Sequence, residues 1–161
     1  MERSDFMSIV LVRIDDRLLH GQIVEAWVPY CKATCIIVAN DEAKKNRVQR
    51  LAIESCASRT LTVKVDAVEE SVQDAGSEAL ERERIIVLFS TLKDLIHAYD
   101  RGFRFSCINI GNIHHNGFGK QLAKSVYIDK EDEDIIKNLV SLGIDLDIRA
   151  VPWDKPVKVM G

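Results

Sequence analysis

The chain has 161 residues and a formal net charge of −3 at pH 7, with 47% hydrophobic and 29% charged residues. This balance is normal for one globular domain, and the slight negative charge argues against a general affinity for nucleic acid. No apolar run approaches the roughly 20 residues needed to span a bilayer, and no secretory signal precedes the first apolar segment. We therefore expect a single cytoplasmic domain over residues 1–161, with residues 1–7 forming a short flexible N-terminal tail.

Short apolar segments alternate with amphipathic segments along the chain, which predicts alternating strands and helices. Strands are predicted at residues 9–14, 35–39, 61–65, 85–89, 107–111, 126–128 and 144–150. Helices are predicted at residues 20–28, 41–57, 68–84 with a break near Gly76, 92–99 and 131–142. The first helix is expected to stop before Pro29. Regular strand-helix alternation is typical of right-handed βαβ units, so we predict an α/β fold: an open, mostly parallel twisted sheet with helices on both faces.

The second predicted helix has an apolar stripe and a basic face. The stripe, which helical spacing predicts to pack inward, consists of Ala43, Val48, Leu51, Ala52 and Ser55. The basic face consists of Lys44, Lys45, Arg47 and Arg50. We interpret this face as solvated rather than as a docking surface, because charge runs on helices usually face water.

Several classes of site are not indicated by any motif in the chain. The phosphate-loop pattern G-x-x-x-x-G-K-[ST], the dinucleotide pattern G-x-G-x-x-G and the nucleophile elbow G-x-S-x-G are all absent. The four cysteines form no C-x-x-C pair, so we interpret them as free thiols of a reducing compartment. We expect no metal and no cofactor.

The charged loop between the first strand and the first helix is the strongest candidate site. His20 should lie near a helix start, where the helix dipole favours a neutral, nucleophilic imidazole and the backbone amides favour an arriving phosphoryl group. Arg17 could neutralise phosphoryl charge, and Asp15 or Asp16 could fix the tautomer by accepting a hydrogen bond from one ring nitrogen. This set suits a histidine phosphocarrier that needs no metal. A histidine that only packs beside a structural Asp–Arg pair remains the alternative.

A second candidate is the histidine pair after the fifth predicted strand. If that strand is parallel to the first, His114 emerges at the same edge of the sheet as His20 and lines the site. We expect no metal there, because adjacent histidines rarely face one ion and no acidic cluster is apparent in the sequence; His115 is interpreted as part of a plain polar loop. Ser90 also follows a predicted strand, and it too would face the site.

The run R-I-D-D-R-L-L-H-G-Q at residues 13–22 resembles a motif of one protein family. In the IIB subunits of the mannose/fructose/sorbose class of the bacterial phosphoenolpyruvate-dependent sugar phosphotransferase system, the typical opening is R-I-D-D-R-L-I-H-G-Q, so Leu19 is the one conservative change. The segments V-A-N-D at 38–41, I-G-N-I-H at 110–114 and L-G-I with R-A-V-P at 142–152 also resemble the family. The resemblance covers essentially the whole chain.

The resemblance implies a function and a set of site residues. His20 would accept phosphate on Nδ1 from a phosphohistidine of the IIA domain and pass it to a sugar entering through the membrane subunits IIC and IID. Arg17 would stabilise the phosphoryl group, with Asp15 and Asp16 as the other members of the catalytic loop. The residues assigned to binding of phosphate or substrate are Arg13, Gly21, Ser90 and His114. The protein would associate peripherally with the membrane transporter complex, and a homodimer is left open.

Two other functions remain compatible with the sequence. One is a regulatory module of the same fold that is phosphorylated at His20 but signals to a protein partner without transporting sugar. The other is an α/β domain that binds a small molecule and is never phosphorylated. For a carrier, both partners must dock around the His20 loop, so exposed apolar residues are expected there, and the first helix with Trp27 is one candidate surface. Trp153 is expected to pack.

Overall fold

The computed structural model describes residues 6–157 and contains eight strands within that range. They are β1 (Ile9–Asp15), β2 (Cys35–Ala39), β3 (Thr62–Asp66), β4 (Ile85–Phe89), β5 (Cys107–Asn112), β6 (Lys120–Ala123), β7 (Val126–Ile128) and β8 (Asp145–Ile148). Six of them form one sheet in the order β3-β2-β4-β1-β5-β8, and every neighbouring pair is parallel. The predicted α/β fold with a mostly parallel sheet is confirmed.

Helices cover both faces of this sheet, as predicted. They are α1 (Val28–Cys31), α2 (Asp41–Lys45), α3 (Arg47–Glu54), α4 (Val68–Ala75), α5 (Leu92–Asp100) and α6 (Lys130–Ser141). Cys35, Ile37 and Ala39 of β2 pack in the core that contains α4, α5 and α6, whereas Ile36 and Val38 pack in the core that contains α2 and α3. Because both faces are covered, β2 and β4 are buried along their whole length. No helix within residues 6–157 is long and apolar enough to cross a membrane.

The parallel arrangement brings the carboxyl ends of the strands to one edge of the sheet. β1 lies between β4 and β5, and its last residue, Asp15, pairs with Asn112 at the end of β5. The loops that follow β1 and β5 therefore emerge side by side, which is the condition under which His114 was expected to approach the His20 loop.

The prediction that the first helix stops before Pro29 is wrong. A π-helical turn, Ile23–Trp27, leads directly into α1, which contains Pro29 in its first turn and ends at Lys32 in the left-handed conformation (φ 53°). The Val28 N–H donates to the Ile23 carbonyl five residues earlier, as a π turn requires. The wider turn lets the helical path continue across a residue that has no N–H to donate.

The prediction of one helix over residues 41–57 is also wrong. The chain leaves the helical conformation at Asn46, whose side chain caps α3 by accepting a hydrogen bond from the Gln49 N–H. This break changes which face of the second segment is buried. Val48 and Leu51 are 79% and 51% exposed, and Ile53 is the buried residue of α3. The predicted inward stripe therefore faces outward along α3.

Two further differences concern short segments. β6 follows the turn after β5 and was missed because its two polar residues precede its two apolar residues instead of alternating with them. It pairs with β7 in an antiparallel hairpin outside the main sheet. At the N-terminus, the Phe6 ring contacts the Phe103 ring at 5.3 Å between centroids. Phe6 therefore belongs to the packed domain rather than to the predicted tail, while residues 1–5 of that tail lie outside the described range.

A buried carboxyl group at the end of β3 makes the stability of the fold depend on pH. Asp66 is 4% exposed, and one of its carboxylate oxygens has no hydrogen-bond partner within residues 6–157. Burial, with a hydrogen bond and the charge of Asp74, raises the pKa of Asp66 to about 7. In the unfolded chain the pKa of an aspartate is about 3.9. The stabilisation from binding this proton is therefore complete below that value and is lost as pH rises through 7.

We predict that Asp66→Asn raises the free energy of unfolding more at pH 8 than at pH 5, because the amide stays neutral without a proton. Urea unfolding at both pH values measures the difference. Asp145→Asn, at an exposed position that begins β8, is the control and should leave the pH dependence of stability as it is in the parent. Equal effects of Asp66→Asn at the two pH values would contradict the assignment.

Candidate active site

In the loop that leaves β1, Arg17 and His20 both contact the carboxylate of Asp15. Leu18 adopts the left-handed conformation (φ 58°), and its N–H donates to the Asp15 carbonyl at 2.9 Å. Leu18 and Leu19 are 3% and 7% exposed, so these two apolar side chains anchor the loop in the core. The neighbouring residues Arg17 and His20 are thereby kept at the surface.

Asp15 is the fully buried carboxylate at the centre of the site. Its Oδ2 accepts from Arg13 Nη2 at 3.0 Å and lies 2.9 Å from His20 Nε2, while its Oδ1 accepts from the Arg17 N–H at 3.0 Å. Burial alone would raise the pKa of Asp15, but the hydrogen bond from His20, the charge of Arg13 and the Arg17 N–H together lower it. Asp15 is therefore ionised at neutral pH and can only accept hydrogen bonds.

The contact with Asp15 determines which nitrogen of His20 is available. An ionised carboxylate accepts the proton of Nε2, which places the lone pair of a neutral ring on Nδ1. Nδ1 has no hydrogen-bond partner within the described part of the chain, and the side chain is 20% exposed. Of the two aspartates left open by the sequence, Asp15 is the one that contacts His20.

Arg17 lies at the surface beside the same carboxylate. Its side chain is 48% exposed, its Nε lies 3.5 Å from Asp15 Oδ1, and its Nη2 donates to Gln22 Oε1 at 3.2 Å. These two contacts hold the guanidinium at the surface between Asp15 and Gln22, and its other N–H groups remain available to solvent or to a ligand. The position fits the predicted role of Arg17 toward a phosphoryl group.

Arg13 does not have the geometry of a phosphate ligand. The residue is 0% exposed, and its guanidinium contacts Asp15, Asn109 and the Arg149 carbonyl behind the site. Strand alternation explains the difference, because Arg13 and Asp15 point to the same face of the sheet with Arg13 further from the edge. The predicted phosphate contact of Arg13 is therefore replaced by a contact with Asp15.

Gly21 and Ser90 also lie at this edge, and their predicted roles toward phosphate stay predictions. A Cβ added to Gly21 would have no heavy atom within 4 Å, so the space beside the helix start is open. Ser90 follows the last residue of β4, and its hydroxyl accepts a hydrogen bond from the Asn40 amide at 2.9 Å. The strand it follows is the neighbour of β1.

Asp16 joins the loop after β1 to the turn after β5. Its carboxylate accepts from Asn112 Nδ2 at 2.9 Å and from the His114 N–H at 2.9 Å, and it lies 3.1 Å from His114 Nδ1. His114 is therefore held at the same edge as His20, as expected, but its ring contacts Asp16 and is half exposed. Asp15 therefore contacts the histidine of its own loop, and Asp16 contacts the histidine of the neighbouring turn.

The prediction of a plain polar loop at His115, with no acidic cluster beside it, is wrong. His115 Nε2 bonds to Asp132 and lies 3.8 Å from Asp129 Oδ2, and one ligand atom from each of the three residues falls within 4.8 Å of the others. Asp129 caps α6, and the Asp132 carboxylate accepts from the Asp129 N–H, so both carboxylates serve the helix start. The contacts of His115 with these two carboxylates attach the turn after β5 to the start of α6.

Trp27, which the sequence left open as a core residue or a partner anchor, is a core residue, whereas Trp153 is exposed against expectation. Trp27 is 1% exposed and its indole N–H donates to the Ala150 carbonyl, so the first helix does not present it for docking. Trp153, which was expected to pack, is 74% exposed and follows β8. Phe118 is 77% exposed and lies just after the turn that contains His114. Phe118 and Trp153 are thus exposed aromatic residues on the segments that follow β5 and β8, and Tyr30 of α1 is a third, 62% exposed.

Asn109, Asn112 and Gln22 belong to the site and were not assigned roles from the sequence. Asn109 and Asn112 are buried in β5 and contact Arg13 and Asp16, respectively. Both asparagines could have been predicted from the sequence, because amide side chains within a buried apolar strand need hydrogen-bond partners inside the protein.

Comparisons with known proteins point to one family. Residues 9–161 match the family model described as the PTS system sorbose subfamily IIB component. The chain is 32% identical to the sorbose-specific EIIB component of Klebsiella pneumoniae over 154 residues, which cover 96% of this chain and 94% of that protein. It is 29% identical over 160 residues to the mannose-specific EIIAB component of Escherichia coli, covering 99% of this chain and 50% of that longer protein.

A solved structure shows the same similarity. The crystal structure of the IIBSor domain of the sorbose permease from Klebsiella pneumoniae matches with a TM-score of 0.86 at 32% identity. The match covers 94% of this chain and 93% of that one. The parallel sheet and its order of elements are therefore shared along nearly the whole length.

We predict that Asp16→Ala frees the turn after β5, because all the contacts of this carboxylate to Asn112 and His114 are lost. Amide hydrogens of residues 113–118 should exchange with solvent about tenfold faster or more, the effect of losing roughly one hydrogen bond to a charged group. Hydrogen exchange followed by mass spectrometry measures this. Asp100→Ala, at an exposed position that ends α5, should leave exchange in the turn as in the parent; an equal change in both variants would contradict the role of Asp16.

Proposed function

Because the chain belongs to the sorbose subfamily of IIB components of the sugar phosphotransferase system, we propose that His20 is the residue on which it carries the phosphoryl group. IIB components accept this group from a IIA domain and transfer it to a sugar. The observation that carries the proposal is the 2.9 Å contact between His20 Nε2 and the buried Asp15 carboxylate, which leaves Nδ1 as the nucleophilic nitrogen at a partly open surface.

In the first half-reaction, His20 Nδ1 attacks the phosphorus atom of a phosphohistidine on IIA. The new N–P bond forms as the old one breaks, and the imidazole of IIA is the leaving group. Because Nε2 keeps its proton, the phosphorylated ring of His20 becomes cationic, and the adjacent Asp15 carboxylate stabilises that charge. Asp15 also keeps the ring oriented for in-line attack.

Charge on the transferred group is neutralised by donors at the mouth of the loop. Arg17 is the cation there, and its planar guanidinium suits the equatorial phosphoryl oxygens. The helix that begins beside Gly21 contributes backbone amides that have no intrahelical acceptor, and the open space at Gly21 admits the phosphoryl group to them. Ser90 and His114 are assigned supporting contacts to phosphate or substrate.

In the second half-reaction, a hydroxyl oxygen of the sugar attacks phosphorus, its proton passes to solvent water, and the Nδ1–P bond breaks. The ring of His20 returns to its neutral form with the proton still on Nε2. We assign delivery of the sugar to the membrane subunits IIC and IID. Relatives named for sorbose and for mannose lie at 32% and 29% identity, so similarity does not favour one of these sugars, and we assign sugar selection to IIC and IID as well.

The proposed location is the cytoplasmic side of the membrane, in peripheral association with the transporter subunits. The mannose-specific relative is named as a combined EIIAB component, which supports IIA as the direct partner. The homodimer that the sequence left open stays a prediction. No feature of the described residues favours the regulatory alternative over transport.

We predict that incubation with phosphoenolpyruvate, the general carrier proteins of the system and a IIA domain converts the protein to an acid-labile phosphoprotein. His20→Ala should abolish the label, and phosphorus NMR of the parent should place phosphate on Nδ1. Arg17→Met should slow single-turnover labelling by about 100-fold, the cost of removing one donor that stabilises transition-state charge.

The matched control for this labelling is His97→Ala, which removes an exposed histidine of α5 that pairs with Glu69. It should be labelled at the parental rate. Labelling of His20→Ala to the parental extent would mean that another residue carries the phosphoryl group.

We also predict that Phe118→Ser and Trp153→Ser weaken docking of IIA. Both aromatic rings are exposed on segments that leave the same edge of the sheet as the His20 loop, and buried aromatic anchors dominate many interfaces. Each substitution should raise the KM for phospho-IIA about tenfold with little change in the maximal rate. Val140→Ser, at a 45% exposed position on α6, is the control; a KM that stays parental in both aromatic variants would exclude this docking surface.

A further inference from the structure

Arg13 is a fully buried cation placed directly behind the carboxylate that contacts His20. Its Nη2 donates to Asp15 Oδ2 at 3.0 Å, and the same oxygen lies 2.9 Å from His20 Nε2. Its Nη1 donates to Asn109 Oδ1 at 2.6 Å and to the Arg149 carbonyl at 3.2 Å. The guanidinium therefore ties the shared oxygen of Asp15 to β5 and to the chain that follows β8.

The remaining sides of the Arg13 guanidinium are fixed by packing. Its central carbon lies 5.3 Å from the centroid of the Trp27 ring, and that ring is held by the bond from its indole N–H to the Ala150 carbonyl. Asn109 is itself held, because its Nδ2 lies within 3.2 Å of the Asp147 carbonyl oxygen. These contacts hold the guanidinium, and the guanidinium in turn holds the Asp15 oxygen that it contacts.

Gly111 is the residue that makes room for this cation. A Cβ built on Gly111 would lie 2.0 Å from the central carbon of the Arg13 guanidinium and 2.2 Å from each terminal nitrogen. Any side chain at position 111 must therefore displace the arginine. The φ angle of Gly111 is not positive, so the backbone does not need glycine for conformational reasons.

Stability alone is a weak reason for this arrangement. Replacing a buried ion pair with well-packed apolar residues is often neutral or stabilising, and Arg13 Nε is buried without an acceptor within residues 6–157. The arrangement instead gives a carboxylate whose charge and orientation are set before any partner arrives. Such preorganisation matters at a reacting centre, where a small misplacement of the reacting groups strongly lowers the reaction rate.

We infer that Arg13 is a positioning residue for phosphoryl transfer, which acts through Asp15 to hold the proton of His20 on Nε2, and that Gly111 is glycine to admit it. This inference rests on the proposed function of His20. Arg13 contacts neither the phosphoryl group nor the reacting nitrogen; it fixes the carboxylate that fixes the tautomer of the ring.

The test combines two readouts on three variants. Arg13→Lys keeps the charge but loses the fork that spans Asp15, Asn109 and the Arg149 carbonyl. Gly111→Ala changes no charged residue but displaces the Arg13 guanidinium. Asn109→Ser shortens the side chain that accepts from Arg13 Nη1. Nitrogen-15 NMR at pH 9, where an ordinary imidazole is neutral, reports how the ring proton of His20 is shared between Nδ1 and Nε2. Single-turnover labelling by phospho-IIA reports the transfer rate.

In the parent the proton should reside on Nε2. In Arg13→Lys and Gly111→Ala it should be shared between both nitrogens, with transfer slowed by about 10- to 100-fold. Asn109→Ser should change both readouts in the same direction to a smaller extent, and it provides the test if another variant does not fold. The control is Arg149→Lys, because the Arg149 side chain lies over the same Trp27 ring, at 5.7 Å, but contacts Asp147 rather than Asp15.

Two results would overturn the inference. One is a folded Arg13→Lys or Gly111→Ala variant that keeps the proton on Nε2, whether or not transfer slows. The other is an Arg149→Lys variant that shifts the proton as much as Arg13→Lys does. Failure of the proposed function is distinguishable, because the tautomer measurement needs no phosphorylation, whereas an unlabelled parent would reject the carrier role itself.

Discussion

The site depends on one buried anion, the carboxylate of Asp15. A carboxylate removed from water must be paired and hydrogen-bonded, and here Arg13 approaches it from the interior while His20 and Arg17 approach it from the surface. The two sides have different consequences. The contact with Arg13 fixes the position of the carboxylate. The contacts at the surface then fix the tautomer of the His20 ring and the position of the Arg17 guanidinium.

The parallel sheet explains why these groups meet although they are distant in sequence. β1 and β5 are adjacent and parallel, so the residues at their carboxyl ends form one surface. Asp16 then fastens the two emerging segments to each other through Asn112 and His114. Contacts that order a loop before a partner docks lower the cost of association.

The sequence predicted the fold and the loop, and it failed where long-range contacts decide the outcome. β2 and β4 were recognisable because strands buried on both faces are apolar throughout. Periodicity did not reveal which side of α3 is covered, since the break at Asn46 decides that. It also could not distinguish Arg13 as a surface ligand from Arg13 as a buried cation. That distinction requires knowing that Asn109 and Gly111 lie beside it, nearly a hundred residues later in the chain.

A rigid site suits a carrier that must use one histidine in two directions. In the proposed mechanism, Nδ1 of His20 is a nucleophile toward phospho-IIA and becomes the leaving group when the sugar hydroxyl attacks, so the same ring must be oriented correctly for both transfers. If the ring were free to exchange tautomers or to rotate, each step would lose part of its population to an unreactive form. Fixing Asp15 from the interior leaves the surface of the site free for partners, and the tautomer then does not depend on which of them is bound.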